Sequence, residues 1–159
     1  MRALGMLIAV VCAVVILREY DRSRRESMLE CEAISELLLH IKRGISENMT
    51  TVPAAVGSFD FSPILHTGLR EILMDETGSW RDRLSEMKLR SGSDRQEFLY
   101  NFLVKFGTGT TEEELSSLGG AIDHFRAAAQ KIRTEESRAS RVRWVILATA
   151  VAGAVILML

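Results

Sequence analysis

Only two prolines and two cysteines stand in 159 residues, and no acidic side chain occurs before Glu19 or after Glu136. With proline confined to positions 53 and 63, nothing elsewhere forces a helix to break through a fixed φ or a missing N–H. Two cysteines are too few for a disulfide framework. Cys12 lies in an apolar run and Cys31 on an expected helix, so both read as reduced, small apolar side chains rather than a bridge or a metal pair. A net charge of −1, with both signs intermixed, gives no basic face for nucleic acid.

Catalytic and cofactor signatures are missing as well. Gly107-Thr108-Gly109-Thr110 lacks the lysine and the preceding strand of a phosphate-binding loop, and reads as a helix stop followed by the next helix's cap. No Gly-x-Ser-x-Gly elbow occurs. His40, His66 and His124 fall on three different expected helices, without a partner at i+4 or a carboxylate-rich surround, which is the pattern of core or solvent-edge histidines. Neither a cofactor nor a small-molecule substrate is therefore expected. No period-two run is long enough for a strand, and leucine, methionine, alanine, glutamate and arginine are abundant. The chain is expected to be all-α.

What is present is organised by the two ends. From Thr111 to Leu159 the sequence reads as one uninterrupted helix. Thr111 with Glu114 has the spacing of a capping box, and Glu112, Glu113 and Glu114 oppose the positive end of the helix dipole. Leu115, Leu118, Ile122, Phe125, Ala129 and Ile132 recur at intervals of three and four, making one stripe that requires a partner helix. The pair Gly119-Gly120 inside that helix costs about 1 kcal/mol per glycine relative to alanine, so either the helix bends there or another backbone packs closely, and close packing is favoured. Arg133, Arg138, Arg141 and Arg143 follow, then Trp144, and no charged residue after it. That order matches phosphate-level arginines, an interfacial tryptophan and hydrocarbon.

The other end mirrors it. Ala3 to Leu17 is apolar, flanked by Arg2 on one side and by Arg18, Arg22, Arg24 and Arg25 on the other. It closes on Val-Ile-Leu-Arg without an Ala-x-Ala site, and Val11 precedes Cys12, so an uncleaved anchor fits better than a signal peptide. At 1.5 Å per residue each apolar segment reaches only ~22–24 Å, and Tyr20 with snorkelling Arg18 and Arg143 would extend it. The arginines place the central residues on the cytoplasmic side, where Asn48-Met49-Thr50 is a chance glycosylation match. The expected layout is an anchor at 1–17, a cytoplasmic helical bundle at 18–143 and an anchor at 144–159. The basic residues Arg18, Arg22, Arg24, Arg25, Arg138, Arg141 and Arg143, with Trp144, would meet anionic headgroups.

Between the ends, Cys31, Ile34, Leu38, Ile41 and Ile45 repeat the three–four spacing. Residues 18–48 are thus expected to continue the first span as an amphipathic helix lying alongside the last one, stripe to stripe. Thr51 with Pro53 predicts a short helix to Gly57. Ser62-Pro63 opens another with Ile64, Leu65, Leu69, Ile72 and Leu73 inward. A turn at 75–78 and a helix presenting Trp80, Leu84 and Met87 follow. Ser93 with Gln96 makes a second capping box, for a helix carrying Phe98, Leu99, Phe102, Leu103 and Phe106 and stopped by Gly107. The sum is a bundle of five or six helices flanked by two transmembrane helices.

This layout resembles the stage III sporulation protein AB family. The likeness rests on Cys31-Glu32-Ala33-Ile34-Ser35-Glu36 through Ile41-Lys42-Arg43-Gly44 and the Thr-Thr-Val-Pro turn after it. It also rests on Phe98-Leu99 to Phe106-Gly107, and on Ile122 to Ile132 with Arg133-Thr134-Glu135-Glu136. Thr110-Thr111 stands where that family has a Leu-Gly pair, and Leu118-Gly119-Gly120 replaces a glutamine-rich turn. The resemblance implies a half-sized relative of the platform protein of type II secretion and type IV pilus machines. It would sit in the mother-cell membrane around a forespore and contact a secretion-type ATPase and other sporulation channel subunits. Glu112, Glu113, Glu114, Gly119 and Gly120 are the candidate partner-binding positions. The alternatives are a membrane-tethered helical scaffold unrelated to sporulation, or a small lipid-directed enzyme using those glutamates or the histidines. Cys31 is expected to report topology, by reacting with an impermeant thiol reagent only after the cell is opened.

Overall fold

The computed structural model describes the backbone of residues 2–48, 51–75 and 80–156, and within these all side chains except those of 2–10, 48, 80, 81, 138, 140, 141, 143, 144, 146, 147, 150–152 and 154–156. Among the described residues it is all-α, with no strand. Helix α1 runs Arg2–Asn48, α2 Val52–Gly57, α3 Leu69–Leu73, α4 Trp80–Arg83, α5 Ser93–Lys105 and α6 Thr111–Ile156, with 3-10 turns at Ser62–Thr67 and Leu84–Glu86. The two long helices are thus unbroken, as the lack of proline within them requires. The expected turn at 75–78 falls on 76–78, outside the described residues.

The chain forms two compact units. The central unit is Glu26–Gln130, and the terminal unit comprises Met1–Arg25 and Lys131–Leu159. In the central unit, α1 buries Cys31, Ile34, Leu37, Leu38 and Ile41, and α6 buries Leu118, Ala121, Ile122, Phe125 and Ala129. These are the stripes that the three–four spacing requires, except that Ile45 and Leu115 are only half-buried. Leu99 and Leu103 from α5, and Phe106 just after its last turn, complete the core together with Ile64, Leu69, Ile72, Leu84 and Met87. In the terminal unit Ile132 is buried, and Arg24 of α1 pairs with Glu135 of α6 at 2.9 Å.

Three local expectations are corrected. The helix expected from Ser62 to Leu73 is two pieces, a 3-10 turn and α3, separated by Gly68 at φ +74°. Asp60 accepts hydrogen bonds from the Ser62 N–H and hydroxyl at 3.0 and 2.6 Å, fixing a tight start. Glycine then takes the left-handed conformation at no steric cost. Leu65 consequently points outward and is exposed. At α5, Ser93 is the first helical residue and Gly92 the cap, while Gln96 turns away and accepts the Leu89 N–H at 3.1 Å.

The cap of α6 lies one residue earlier than expected. Thr110 and Glu113 form the reciprocal pair: Glu113 N–H donates to Thr110 Oγ1 at 3.4 Å and Thr110 N–H to Glu113 Oε2 at 2.9 Å. Glu114 instead accepts from the Gly107 and Gly109 N–H groups, both at 2.9 Å. Thr110/Glu113 and Thr111/Glu114 share the same spacing, and the two glycine donors decide between them. The Thr110 bonds hold the Glu113 carboxyl below its ordinary value. A depressed folded pKa gives stabilisation that is whole above the unfolded value of 4.5 and is lost as pH falls through the folded one. Glu113→Gln is expected to weaken the acid dependence of unfolding in that window, measured as a smaller separation between melting temperatures at neutral and acid pH.

Candidate interaction surfaces

Among the described residues Glu30 is a fully buried carboxylate, its side chain 0% exposed. Its Oε2 accepts the Arg90 N–H at 2.9 Å and a bond from His66 Nε2 at 2.7 Å, and its Oε1 accepts the Ser91 N–H at 3.0 Å. Three donors on one carboxylate make charge-assisted bonds that offset the cost of removing it from water. Around it, Ser27 donates to the Arg90 carbonyl at 3.2 Å and Glu26 pairs with the Arg90 guanidinium at 2.9 Å. One face of α1 therefore fastens the chain between the 3-10 turn at 84–86 and α5. This is a structural knot: two of the donors are backbone amides, fixed in place. His66 thus does have a carboxylate partner, which its isolated position in sequence did not reveal.

The other histidines are also engaged. His40 Nε2 lies 2.8 Å from Ser58 Oγ, but that hydroxyl donates to the Ala55 carbonyl at 3.0 Å. With its only proton so placed, Ser58 accepts from His40, the reverse of what a nucleophile–base pair requires. His124 stacks on Phe98 at 3.8 Å between ring centres, with 12° between the planes. Among the described residues no three His, Cys, Asp or Glu side chains come together as a metal site would need.

Cys31 is 0% exposed. Burial pushes its thiol up, against smaller opposing effects of the Ser91 hydroxyl and Arg95, so the unreactive thiol form is favoured. The expected topology probe is thereby overturned. In a Cys12→Ser background the native chain is expected to react with a thiol reagent only on denaturation, read as absorbance released before and after urea. An exposed position such as Ser117, changed to cysteine, would serve for topology.

Of the candidate partner residues, Glu113 and Glu114 act as caps of their own helix, whereas Glu112 is exposed on its first turn. α6 continues through Gly119-Gly120. A Cβ on Gly119 would stand 3.2 Å from Lys42 Nζ, while one on Gly120 would meet nothing within 4 Å. The close approach expected from the glycine pair is therefore confined to one of them, and is made by a side chain rather than a backbone.

That approach forms part of a groove of about 270 Å³ in the central unit. Its α1 wall is Leu39, Lys42, Arg43 and Ser46, and its α6 wall is Gly119, Ile122, Asp123 and Arg126. Each set has the i, i+3, i+4, i+7 spacing of one helix face, so the groove is the seam between two helices lying side by side.

The basic residues of the terminal unit divide. Arg24 is held by Glu135 and by the Tyr20 hydroxyl, the latter at 3.0 Å, with its guanidinium 5.2 Å from the Tyr20 ring centre. Arg18, Arg22 and Arg25 line a pocket of about 610 Å³ together with Val15, Glu19, Asp21 and Glu136. Three arginines and three carboxylates thus share that pocket. The side chains of Arg138, Arg141, Arg143 and Trp144 lie outside the described residues. Among the described residues no helix is long and apolar enough to cross a membrane, and much of the two expected anchors, 1–17 and 144–159, falls on side chains outside them. No known protein family, curated protein or solved structure matches the chain.

Proposed function

We propose that this chain is a non-enzymatic membrane platform component. In its specific form, it would hold a secretion-type ATPase at a sporulation-specific transenvelope complex, in the mother-cell membrane around a forespore. The observation that carries the reading is that each charge-free segment, 3–17 and the residues after Trp144 as far as Ile156, lies on a long helix, α1 or α6, that also supplies half of the central core stripe. A partner bound to the central unit would thus engage the same helices that bear the apolar ends. The engaged state of the histidines and of Glu113 and Glu114 supports a binding role over an acid–base one. Exposed Val11, Val14, Val15 and Ile16 within the N-terminal apolar run are what a lipid-facing helix requires.

The test is capture of a secretion-type ATPase, encoded beside this gene, by the full chain in detergent. Association at micromolar concentration is expected, and its absence would remove the ATPase assignment. Deletion followed by a spore count separates the sporulation role from that of a general membrane tether. A normal count would leave only the tether.

A further inference from the structure

We infer that the groove between α1 and α6 in the central unit is a docking site for an acidic, amphipathic segment of a protein partner. The inference rests on the reading that this unit docks a partner, and it names the surface and the chemistry. The floor is apolar, made by buried Ile122 and half-buried Leu39. The rim carries Lys42, Arg43 and Arg126 against a single acid, Asp123. None of the three cations has an ion-pair partner among the described residues, whereas Arg24, Arg83 and Arg90 each do. In a chain with slightly more acids than bases overall, a locally basic rim over an apolar floor is complementary to a segment presenting leucine-like and carboxylate side chains together.

Gly119 explains why the groove is open. Any side chain there would occupy the seam and displace the Lys42 ammonium, since even a Cβ comes within 3.2 Å of it. The glycine disfavours the helix it sits in, and the vacant seam is the compensating gain. A free phosphate fits less well. The cations, exposed Arg43 and Arg126 and half-buried Lys42, stand on a rim without buried donors, where a small anion stays hydrated and screened, and the apolar floor would go unused.

The test uses the full chain in detergent at low salt and a fluorescein-labelled synthetic helix with leucine and glutamate on alternate faces. Its lysine-for-glutamate counterpart is the control. The acidic peptide is expected to bind in the micromolar range, and the basic one not to bind. Lys42→Glu with Arg126→Glu should weaken the acidic peptide at least about tenfold. Gly119→Leu should weaken it comparably while the melting temperature holds or rises, which separates blocking from unfolding. Arg70→Glu, an exposed change elsewhere in the unit, should leave binding intact. Absence of micromolar binding, equal binding of both peptides, equal affinity of the double variant, or competition by inorganic phosphate alone to completion would each overturn the inference.

Repeating the ATPase capture with the double variant distinguishes this inference from the platform reading. Undiminished capture would sustain the platform and overturn the groove. Peptide binding without ATPase capture by the native chain would sustain the groove and overturn that choice of partner.

Discussion

Glu30→Ala is expected to lower the unfolding free energy by about 3–5 kcal/mol, because it leaves two backbone amides unpaired in a buried place and removes the carboxylate facing His66. The Arg90 and Ser91 N–H groups, at 2.9 and 3.0 Å, belong to a fixed stretch of chain and have no side-chain freedom with which to find new acceptors. Glu30→Gln is the sharper experiment, since it keeps the shape. A carboxamide has one acceptor oxygen, so whichever way it turns, its NH2 faces at least one of those two amides. A loss of about 1–3 kcal/mol is therefore expected even for this isostere. Urea unfolding of the detergent-solubilised chain, followed by far-UV circular dichroism, measures both. A Gln variant as stable as the native chain would show that the three bonds do not hold the knot.

Phe125→Ala is the second large effect, expected at about 3–5 kcal/mol from lost burial and the cavity left behind. The ring is 0% exposed. It meets Phe98 edge-on at 6.0 Å and His124 at 5.6 Å, so it ties α5 to α6. Phe125→Leu keeps most of the volume and should cost less than about 1.5 kcal/mol. If alanine and leucine were equally tolerated, the core would not be centred on this residue. His124 exchange broadening or a shifted ring resonance would report the loosened α5–α6 contact independently of global stability.

How much of this was legible depends on how far apart the interacting residues lie in the chain. The stripes Cys31-Ile34-Leu38-Ile41 and Leu118-Ile122-Phe125-Ala129 are encoded locally, by the helical period, and their burial follows from the spacing alone. The stop at Gly107 and the short helix after Thr51 are local too. Cap register is less secure, because Thr110 and Thr111 offer the same spacing to two consecutive glutamates. The outcome rests on which carboxylate the Gly107 and Gly109 amides can reach. The break at Gly68 is hidden in the sequence because apolar periodicity continues across it, and the left-handed backbone leaves no mark on that pattern.

Glu30 was not legible at all. On the helix it looks like any solvated glutamate beside Cys31, and only the amides sixty residues later, at Arg90 and Ser91, make its burial tolerable. The groove was half legible. Gly119-Gly120 signalled a close approach, but which residue makes it depends on the register of α6 against α1. That register sets Lys42 over Gly119 and leaves Gly120 unopposed. The acidic trio at 112–114 fits a solvated first turn as well as a contact patch by composition, and two of its three members satisfy amides at their own helix start.

The central claim is that the chain is held in lipid by both apolar ends. Its most direct test is alkaline carbonate extraction of membranes from cells producing the full chain, followed by flotation of the pellet in a density gradient. The account predicts that the protein stays with the membranes at high pH and floats with them. It also predicts that a variant carrying arginine at both Val10 and Ala150 is released. Recovery of the native chain in the carbonate supernatant would contradict the account.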